Sequence, residues 1–102
     1  MLTFNVKKEW FEKIKSGEKT HEYRRMTPYW KARIYNAIEK DKDFTLQCKF
    51  CCGYPKNDDK EKILLANVIR ITQDVDGLET DLKINGLVFD IKFELVKEKV
   101  WQ

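Results

Sequence analysis

One short segment of the chain is dense in ionisable side chains. Residues 16–25 read SGEKTHEYRR. If a strand begins near Thr20, alternation places Glu22 and Arg24 on one face, with Lys19 at the mouth of the strand and within reach of that face. A lysine, a carboxylate and an arginine that converge on one surface can bind phosphate or the polar edge of a base.

Two interpretations of this segment stay open. In the first, Lys19, Glu22 and Arg24 line a cleft, where the carboxylate can also serve as a general base. In the second, Glu22 and Arg24 form an internal ion pair and Lys19 is a surface charge. His21 is expected to be a hydrogen-bonded packing residue, because a lone histidine beside aromatic neighbours usually has that role.

A strand and a helix are expected before this segment. Residues Leu2–Val6 alternate in polarity and predict a first strand. The next residues predict a helix over about 7–16, which ends at Gly17 as a C-terminal cap. Three apolar side chains fall on one face of that helix: Trp10, Phe11 and Ile14.

A second helix is expected after the segment. Thr27 followed by Pro28 is typical of an N-cap and a first helical residue. The spacing of the apolar residues then predicts a helix to about Lys40. The residues on its apolar face are Trp30, Ile34 and Ile38.

The second half of the chain predicts strands. They are expected at Phe44–Phe50, Ile63–Ile71 and Leu87–Val96, with a turn and solvated loop over 53–62. The acidic segment 72–86 is expected to be a connection with at most one helical turn. In the last strand one face should be buried (Phe89, Ile91, Phe93, Leu95) and the other solvated (Val88, Asp90, Lys92, Glu94). The pattern predicts one α+β domain over 1–102, most economically a small, partly closed barrel.

Length and charge narrow the class of protein. The chain has 102 residues, 42% of them hydrophobic, which suits one folded domain rather than disorder. No apolar run is long enough for a membrane span, and the N-terminus shows no secretory signal. Residues 1–33 carry nine basic and four acidic side chains, a net +5, whereas residues 34–102 carry a net −2. A basic third can attract phosphate, although solvated helix faces often have the same composition.

The three cysteines are clustered within five positions, at Cys48, Cys51 and Cys52. An odd, clustered count is atypical of a disulfide framework and predicts a reducing, cytoplasmic location. A structural zinc site needs four ligands, and His21 is the sole histidine of the sequence. We therefore expect no metal and no cofactor, with buried or half-buried thiols on a strand instead.

The strand, helix and motif together resemble a known family. The order strand–helix–Gly17-x-Lys19-x-x-Glu22-x-Arg24 is similar to the ASCH domain, a branch of the PUA-like superfamily, in its small single-domain bacterial or phage form. The similarity extends over nearly the whole chain. It continues at Pro28-Tyr29-Trp30, Phe50, Gly53-Tyr54, Ala66–Ile71 and Val88–Val96.

The resemblance implies a partly closed barrel of five or six strands with two main helices, and a cleft lined by the motif. ASCH domains bind RNA or handle nucleotides, and some members are N4-acetylcytidine amidohydrolases or ribonucleases. The amidohydrolase motif matches at Gly17, Lys19 and Arg24, but has threonine where this chain has Glu22. Thr20 is a nearby hydroxyl. Glu79 is the nearest candidate for a later glutamate of that enzyme.

Two functions are therefore expected. The first is an RNA- or nucleotide-binding protein, in which basic residues hold phosphates and aromatic side chains stack on bases. The alternative is a small nucleoside hydrolase, in which Lys19, Glu22 and Arg24 are catalytic. The expected binding residues are Gly17, Thr20, Arg25, Tyr29, Lys31 and Tyr54. Neither function implies a protein partner or an oligomeric state.

Overall fold

The computed structural model describes residues 1–41, 43, 45–55 and 59–96. It contains two α-helices, five strands and two single-turn 3₁₀ helices. The strands are β1 Leu2–Val6, β2 His21–Arg25, β3 Gln47–Cys52, β4 Ile63–Asp76 and β5 Leu87–Leu95. The α-helices are α1 Lys8–Ser16 and α2 Pro28–Lys40, and the 3₁₀ turns are Lys60–Lys62 and Gly77–Glu79.

The five strands form one curled sheet in the order β1-β3-β4-β5-β2. The β1–β3 pair is parallel and the other pairs are antiparallel. Two bulges in β4, between Val68 and Arg70 and between Thr72 and Val75, shift its register against β5. Bulges increase local twist and bend a strand, which curls the sheet. The predicted α+β, partly closed barrel is confirmed, with β1 and β2 at its two open edges.

The core lies on the concave face of this sheet. Phe50 of β3 packs against Phe4 of β1 and Phe93 of β5, with ring centroids 5.5 Å and 4.6 Å away. Ile14 of α1 and Ile34 of α2 are fully buried against the same cluster. The helices therefore cover the apolar face that the strands leave open.

Both helices have the predicted signals at their ends. Gly17 has φ 86° and donates its N–H to the carbonyl of Ile14 at 3.1 Å, a left-handed cap that suits glycine. The hydroxyl of Thr27 accepts from the N–H of Trp30 at 3.2 Å. Because Gly17 caps α1 and β2 starts at His21, Lys19 lies in the short turn between them, two residues before the strand.

Two of the expected strand boundaries are wrong. β4 continues to Asp76 instead of ending at Ile71, because Leu87–Asp90 of β5 gives residues 72–76 a ladder to pair with. β3 runs over Gln47–Cys52 rather than 44–50, and Phe44 lies outside the described residues. The single turn expected in 72–86 is the 3₁₀ helix Gly77–Glu79. Part of the loop expected over 53–62, residues 56–58, lies outside the described residues as well.

Two burial expectations are also wrong. Ile38 is 47% exposed, because a spacing of four residues advances about 40° per step around a helix and has rotated this side chain off the core. Val88 is fully buried although it lies on the face expected to be solvated. Val88 pairs with Arg25 of β2 on one side and with Val75 of β4 on the other, so a neighbouring strand covers it on each side.

The three cysteines are free thiols on β3, as expected. Cys48 and Cys51 are buried and Cys52 is half-buried. Burial raises the pKa of Cys48 to about 12, with a smaller contribution from the negative charge of Glu22. Within the described part of the chain, no cluster of three or more His, Cys, Asp or Glu residues is placed to hold a metal ion. Neither of the described helices is long and apolar enough to cross a bilayer.

Candidate functional site

Four ionisable side chains form a continuous charge network at the open edge of the barrel. Arg24 donates from Nη2 to Oε2 of Glu22 at 2.7 Å, and the other Glu22 oxygen lies 3.6 Å from Nζ of Lys19. The Lys19 ammonium also donates to Oδ2 of Asp81 at 2.5 Å. Lys19 and Glu22 are 8% and 6% exposed. Lys19 is thus a buried partner of the Glu22–Arg24 pair rather than a surface charge.

The charge network is balanced internally. It holds two cations, Lys19 and Arg24, and two carboxylates, Glu22 and Asp81, so its formal charge is zero. Buried charges are tolerated only when they are paired and hydrogen-bonded, since desolvation costs several kcal/mol per ion. Every buried side-chain nitrogen or oxygen in the described residues has a hydrogen-bond partner. The network therefore presents both donors and acceptors at the cleft and carries no net charge.

Arg24 bridges the two edge strands, β1 and β2. Its Nη2 donates to the backbone carbonyl of Asn5 on β1 at 3.2 Å, as well as to Glu22 on its own strand. Its guanidinium carbon lies 4.9 Å and 5.1 Å from the ring centroids of Trp30 and Phe4. A side chain thus spans the place where backbone pairing would close a complete barrel. We call this junction of β1 and β2 the seam.

Aromatic rings surround the lysine. Nζ of Lys19 lies 5.4 Å from the ring centroid of Trp10 and 5.2 Å from that of Tyr23. Cation–π contacts at these distances stabilise an ammonium that is withdrawn from water. Burial raises the pKa of the Tyr23 phenol, and the charges of Asp90 and Asp81 raise it further, so the hydroxyl stays protonated at neutral pH.

The network lines an open cleft of about 480 Å³ between α1 and the seam. Trp10 and Trp30 contribute aromatic surface, and Leu82 and Ile84 contribute aliphatic surface. Lys7 and Arg25 are exposed and also line the cleft, which gives it a basic rim. This volume is within the range of small-ligand sites, which combine apolar walls with a few convergent polar groups.

A tightly folded loop carries Asp81 to the cleft. Within it, the hydroxyl of Thr80 donates to the carbonyl of Gly77 at 2.8 Å, and the N–H of Gly77 donates to the carbonyl of Gly86 at 2.9 Å. A Cβ on Gly77 would lie 2.6 Å from the carbonyl oxygen of Ile84, so no larger residue fits there without a shift of the backbone. These contacts fix the turn from which Asp81 reaches Lys19.

The structure brings some of the expected binding residues to the cleft and places others elsewhere. Arg25 lies at the rim, whereas Gly17 caps α1 and does not line the cleft. Thr20 is exposed and faces neighbouring grooves rather than the cleft. The remaining three expected residues are exposed and, in the described part of the chain, do not line the cleft: Tyr29, Lys31 and Tyr54. Tyr29 is instead covered by the guanidinium of Arg33, 4.2 Å from its ring centroid.

Sequence reasoning did not identify Asp81 as a member of this site. Asp81, and not Glu79, is the later acid that reaches Lys19; Glu79 is exposed in the 3₁₀ turn. The signal was the acidic run between residues 74 and 81, but only the folded loop selects one carboxylate from it. Trp10, expected both on the apolar face of α1 and among the aromatic side chains that could stack on a base, is half-buried and lines the cleft.

His21 and Tyr23 point to the opposite face of β2 from Glu22. Nδ1 of His21 lies 2.7 Å from Oδ1 of Asp90 on β5, and the histidine and tyrosine rings are stacked at 6.2 Å with an interplanar angle of 11°. His21 is therefore hydrogen-bonded, as the sequence indicated. About a third of its side chain remains exposed.

No protein-family model, curated protein or solved structure matches the chain at a significant level. The resemblance to ASCH domains therefore stays a prediction from the sequence, based on the motif that runs from Gly17 into β2 and on the shorter similarities along the rest of the chain.

Proposed function

We propose that the protein binds RNA or a nucleotide, and that the cleft between α1 and the seam receives a nucleobase. The observation that carries this proposal is the buried, charge-balanced network on the floor of an open cleft with aromatic walls. The resemblance of residues 17–24 to the ASCH motif supports the same class of ligand.

The zero formal charge of the network favours a base over a phosphate. Two carboxylates lie beside the two cations, and they would repel a phosphate dianion on the floor of the cleft. The edge of a base carries both amino donors and carbonyl or ring-nitrogen acceptors. Glu22 and Asp81 can accept from an exocyclic amine, while Lys19 and Arg24 can donate to a carbonyl.

The basic rim suits the phosphate that accompanies the base. Lys7 and Arg25 are exposed at the cleft, and Lys13 lies 5.0 Å from the ring centroid of Trp10 on the adjoining face of α1. Exposed lysine and arginine side chains bind the nucleic acid backbone without reading sequence, and such binding weakens as salt is added. The proposed arrangement therefore places the base inside and the phosphate outside.

Nuclear magnetic resonance of ¹⁵N-labelled protein tests this division directly. The indole N–H signals of Trp10 and Trp30 are expected to shift on titration with nucleosides and nucleoside 5′-monophosphates at low salt, and not with inorganic phosphate alone. Monophosphates should bind more tightly than nucleosides, and added salt should remove that difference. If inorganic phosphate reproduces the shifts, or no nucleoside shifts either indole, the proposed function is wrong.

A second candidate is hydrolysis of an acylated nucleoside, favoured by the position of Asp81. Both oxygens of Glu22 face cations, whereas the Asp81 side chain is 34% exposed and touches Lys19. Asp81 would take a proton from the attacking water as the water oxygen bonds to the acyl carbon, and would then return that proton to the leaving amine as the C–N bond breaks. Lys19 would stabilise the developing oxyanion.

Mass spectrometry of reactions with N4-acetylcytidine and short RNAs separates turnover from binding. If the candidate reaction occurs, Asp81→Asn should abolish it while leaving nucleoside binding within about tenfold of the parent. Product formation that is unchanged in Asp81→Asn would exclude this role for the carboxylate. The absence of product with every substrate would leave binding as the proposed function of the cleft.

A further inference from the structure

A second groove of about 390 Å³ adjoins the cleft on the other side of the Lys19–Asp81 contact. We call it the side groove. It shares four residues with the cleft: Trp10, Lys19, Tyr23 and Asp81. Its remaining surface includes His21, Thr20 and Lys13. The two concavities thus meet along one ion pair, and a ligand longer than one nucleotide can lie across both.

Two nearly parallel aromatic rings line the side groove. The rings of His21 and Tyr23 are nearly parallel, with an interplanar angle of 11°. The Asp90 carboxylate holds His21 through Nδ1 at 2.7 Å, so the orientation of the imidazole is set before any ligand arrives. Pre-oriented planar side chains on an exposed strand are the usual platforms for unpaired bases.

We propose that the side groove is a second base-binding subsite, and that the ligand is a single-stranded oligonucleotide of at least two nucleotides rather than a free nucleoside. This inference rests on the proposed function, because the first base must occupy the cleft. The second base would contact the His21–Tyr23 surface, and the intervening phosphate would lie outside, towards Lys13.

The charges of the side groove favour a base there as well. Three carboxylates lie in or beside it, from Glu18, Asp81 and Asp90, and their cationic neighbours are Lys13 and Lys19. Such a surface disfavours phosphate but can accept hydrogen bonds from an exocyclic amine. Adenine, cytosine and guanine carry that amine and uracil does not, so uracil should be the poorest second base.

Four ligands that differ by one phosphate or one base test the subsite. They are a nucleoside 5′-monophosphate, the corresponding nucleoside 3′,5′-bisphosphate, a dinucleotide with adenine as the second base, and the same dinucleotide with uracil. Base stacking on an aromatic side chain is worth about tenfold in affinity. The adenine dinucleotide should therefore bind about tenfold more tightly than the bisphosphate, which has the extra phosphate without the second base.

Variants of His21 test whether contacts in the side groove cause the tighter binding of the adenine dinucleotide. His21→Ala should remove the gain and leave monophosphate affinity unchanged, whereas His21→Phe, which keeps a planar ring, should retain most of it. Tyr54→Ala is the matched control, since it removes an aromatic ring that is 91% exposed and lines neither concavity. Melting temperatures show whether each variant is folded. If His21→Ala does not fold, comparison of His21→Phe with the parent still tests the subsite.

The outcomes separate this inference from the proposed function. If the monophosphate binds but the dinucleotide binds no better than the bisphosphate, the second subsite is wrong and the base-binding cleft stands. The subsite is also wrong if His21→Ala keeps the full dinucleotide gain. If no ligand of the four binds, both proposals fail together.

Discussion

The middle of the sheet and its seam are stabilised in different ways. Strands β3, β4 and β5 are joined by backbone ladders, and their concave face carries fully buried hydrocarbon such as Phe50, Phe89 and Ile91. At the seam, β1 and β2 are not neighbours in the ladder, and the Arg24 side chain spans them instead. Backbone ladders and apolar packing thus stabilise most of the barrel, whereas paired charges connect the strands at the seam.

This difference indicates where the fold can bind a ligand. Where strands are joined by a backbone ladder over a hydrocarbon core, the polar groups are already hydrogen-bonded within the structure, so they are not free to bind a ligand. Paired side chains at an open edge can exchange a protein partner for a ligand group of similar chemistry. Changes in the core should therefore alter stability alone, whereas changes at the seam should alter both stability and binding.

The largest effect on stability is expected in the core. Phe50→Ala removes a ring that contacts Phe4 and Phe93, and it should lower the free energy of unfolding by about 3–5 kcal/mol. Urea denaturation measures the loss. The fraction that remains folded should bind nucleotides with the affinity of the parent, and a specific loss of affinity in that fraction would contradict the separation of core and cleft.

A smaller loss of stability, together with a loss of binding, is expected at the seam. Glu22→Ala leaves two cations facing each other, but Lys19 keeps Asp81 and the Arg24 side chain is 21% exposed. We expect the free energy of unfolding to fall by about 2–3 kcal/mol, below the loss for an ion left with no partner. Glu22→Gln, which can still accept from Arg24, should lose less. Equal losses for the two variants would contradict this expectation, because they would show that an acceptor for Arg24 at position 22 does not contribute to the stability of the seam.

Alkaline pH should destabilise the core through Cys48. The pKa of this thiol is about 12 in the folded protein against 9.0 for an ordinary thiol, so the unfolded chain releases its proton first. The stabilisation is complete below about pH 9 and falls as pH rises towards 12, by about 2 kcal/mol at pH 10.5. The raised pKa of Tyr23 acts in the same direction.

Urea denaturation at pH 8 and pH 10.5 measures this loss. Cys48→Ala should make the difference between the two pH values smaller, because any cost of the lost sulfur is the same at both. Cys52→Ala is the matched control at a half-buried thiol of the same strand. If both variants change the difference equally, burial of Cys48 is not its cause.

The smallest effect is expected for an ion pair outside both regions. Nζ of Lys62 lies 3.7 Å from Asp59, and 58% of the lysine side chain is exposed. Exposed pairs contribute at most about 1 kcal/mol, so Lys62→Ala should change the free energy of unfolding by less than that and leave nucleotide binding unaltered. A loss as large as that of Glu22→Ala would mean that burial does not distinguish the two pairs.

Local signals predicted the elements that position the site. Gly17 and the Thr27-Pro28 pair mark helix ends through backbone preferences that need no tertiary context, and both are observed. Alternation in β2 placed Glu22 and Arg24 on one face and His21 and Tyr23 on the other, because side-chain direction in a strand follows from its period of two.

What the sequence could not supply depends on contacts between distant residues. Asp81 is 62 residues from Lys19 along the chain, and its place depends on the packing of Gly77 against Ile84. The extension of β4 to Asp76 depends on pairing with Leu87, which no local pattern encodes. Tyr29 and Tyr54 had suitable residue types for binding, but neither lines the cleft.

We propose that the buried charges of the seam bind a nucleobase. The double variant Lys19→Met with Glu22→Gln tests this role. It removes one positive and one negative charge, keeps the net charge and nearly keeps the side-chain volumes, and leaves an amide oxygen at position 22 to accept from Arg24. Isothermal titration calorimetry with cytidine 5′-monophosphate, alongside thermal unfolding, is the measurement. This role of the buried charges predicts a melting temperature close to that of the parent and a loss of affinity of at least about tenfold. Affinity equal to that of the parent in a folded double variant would contradict it.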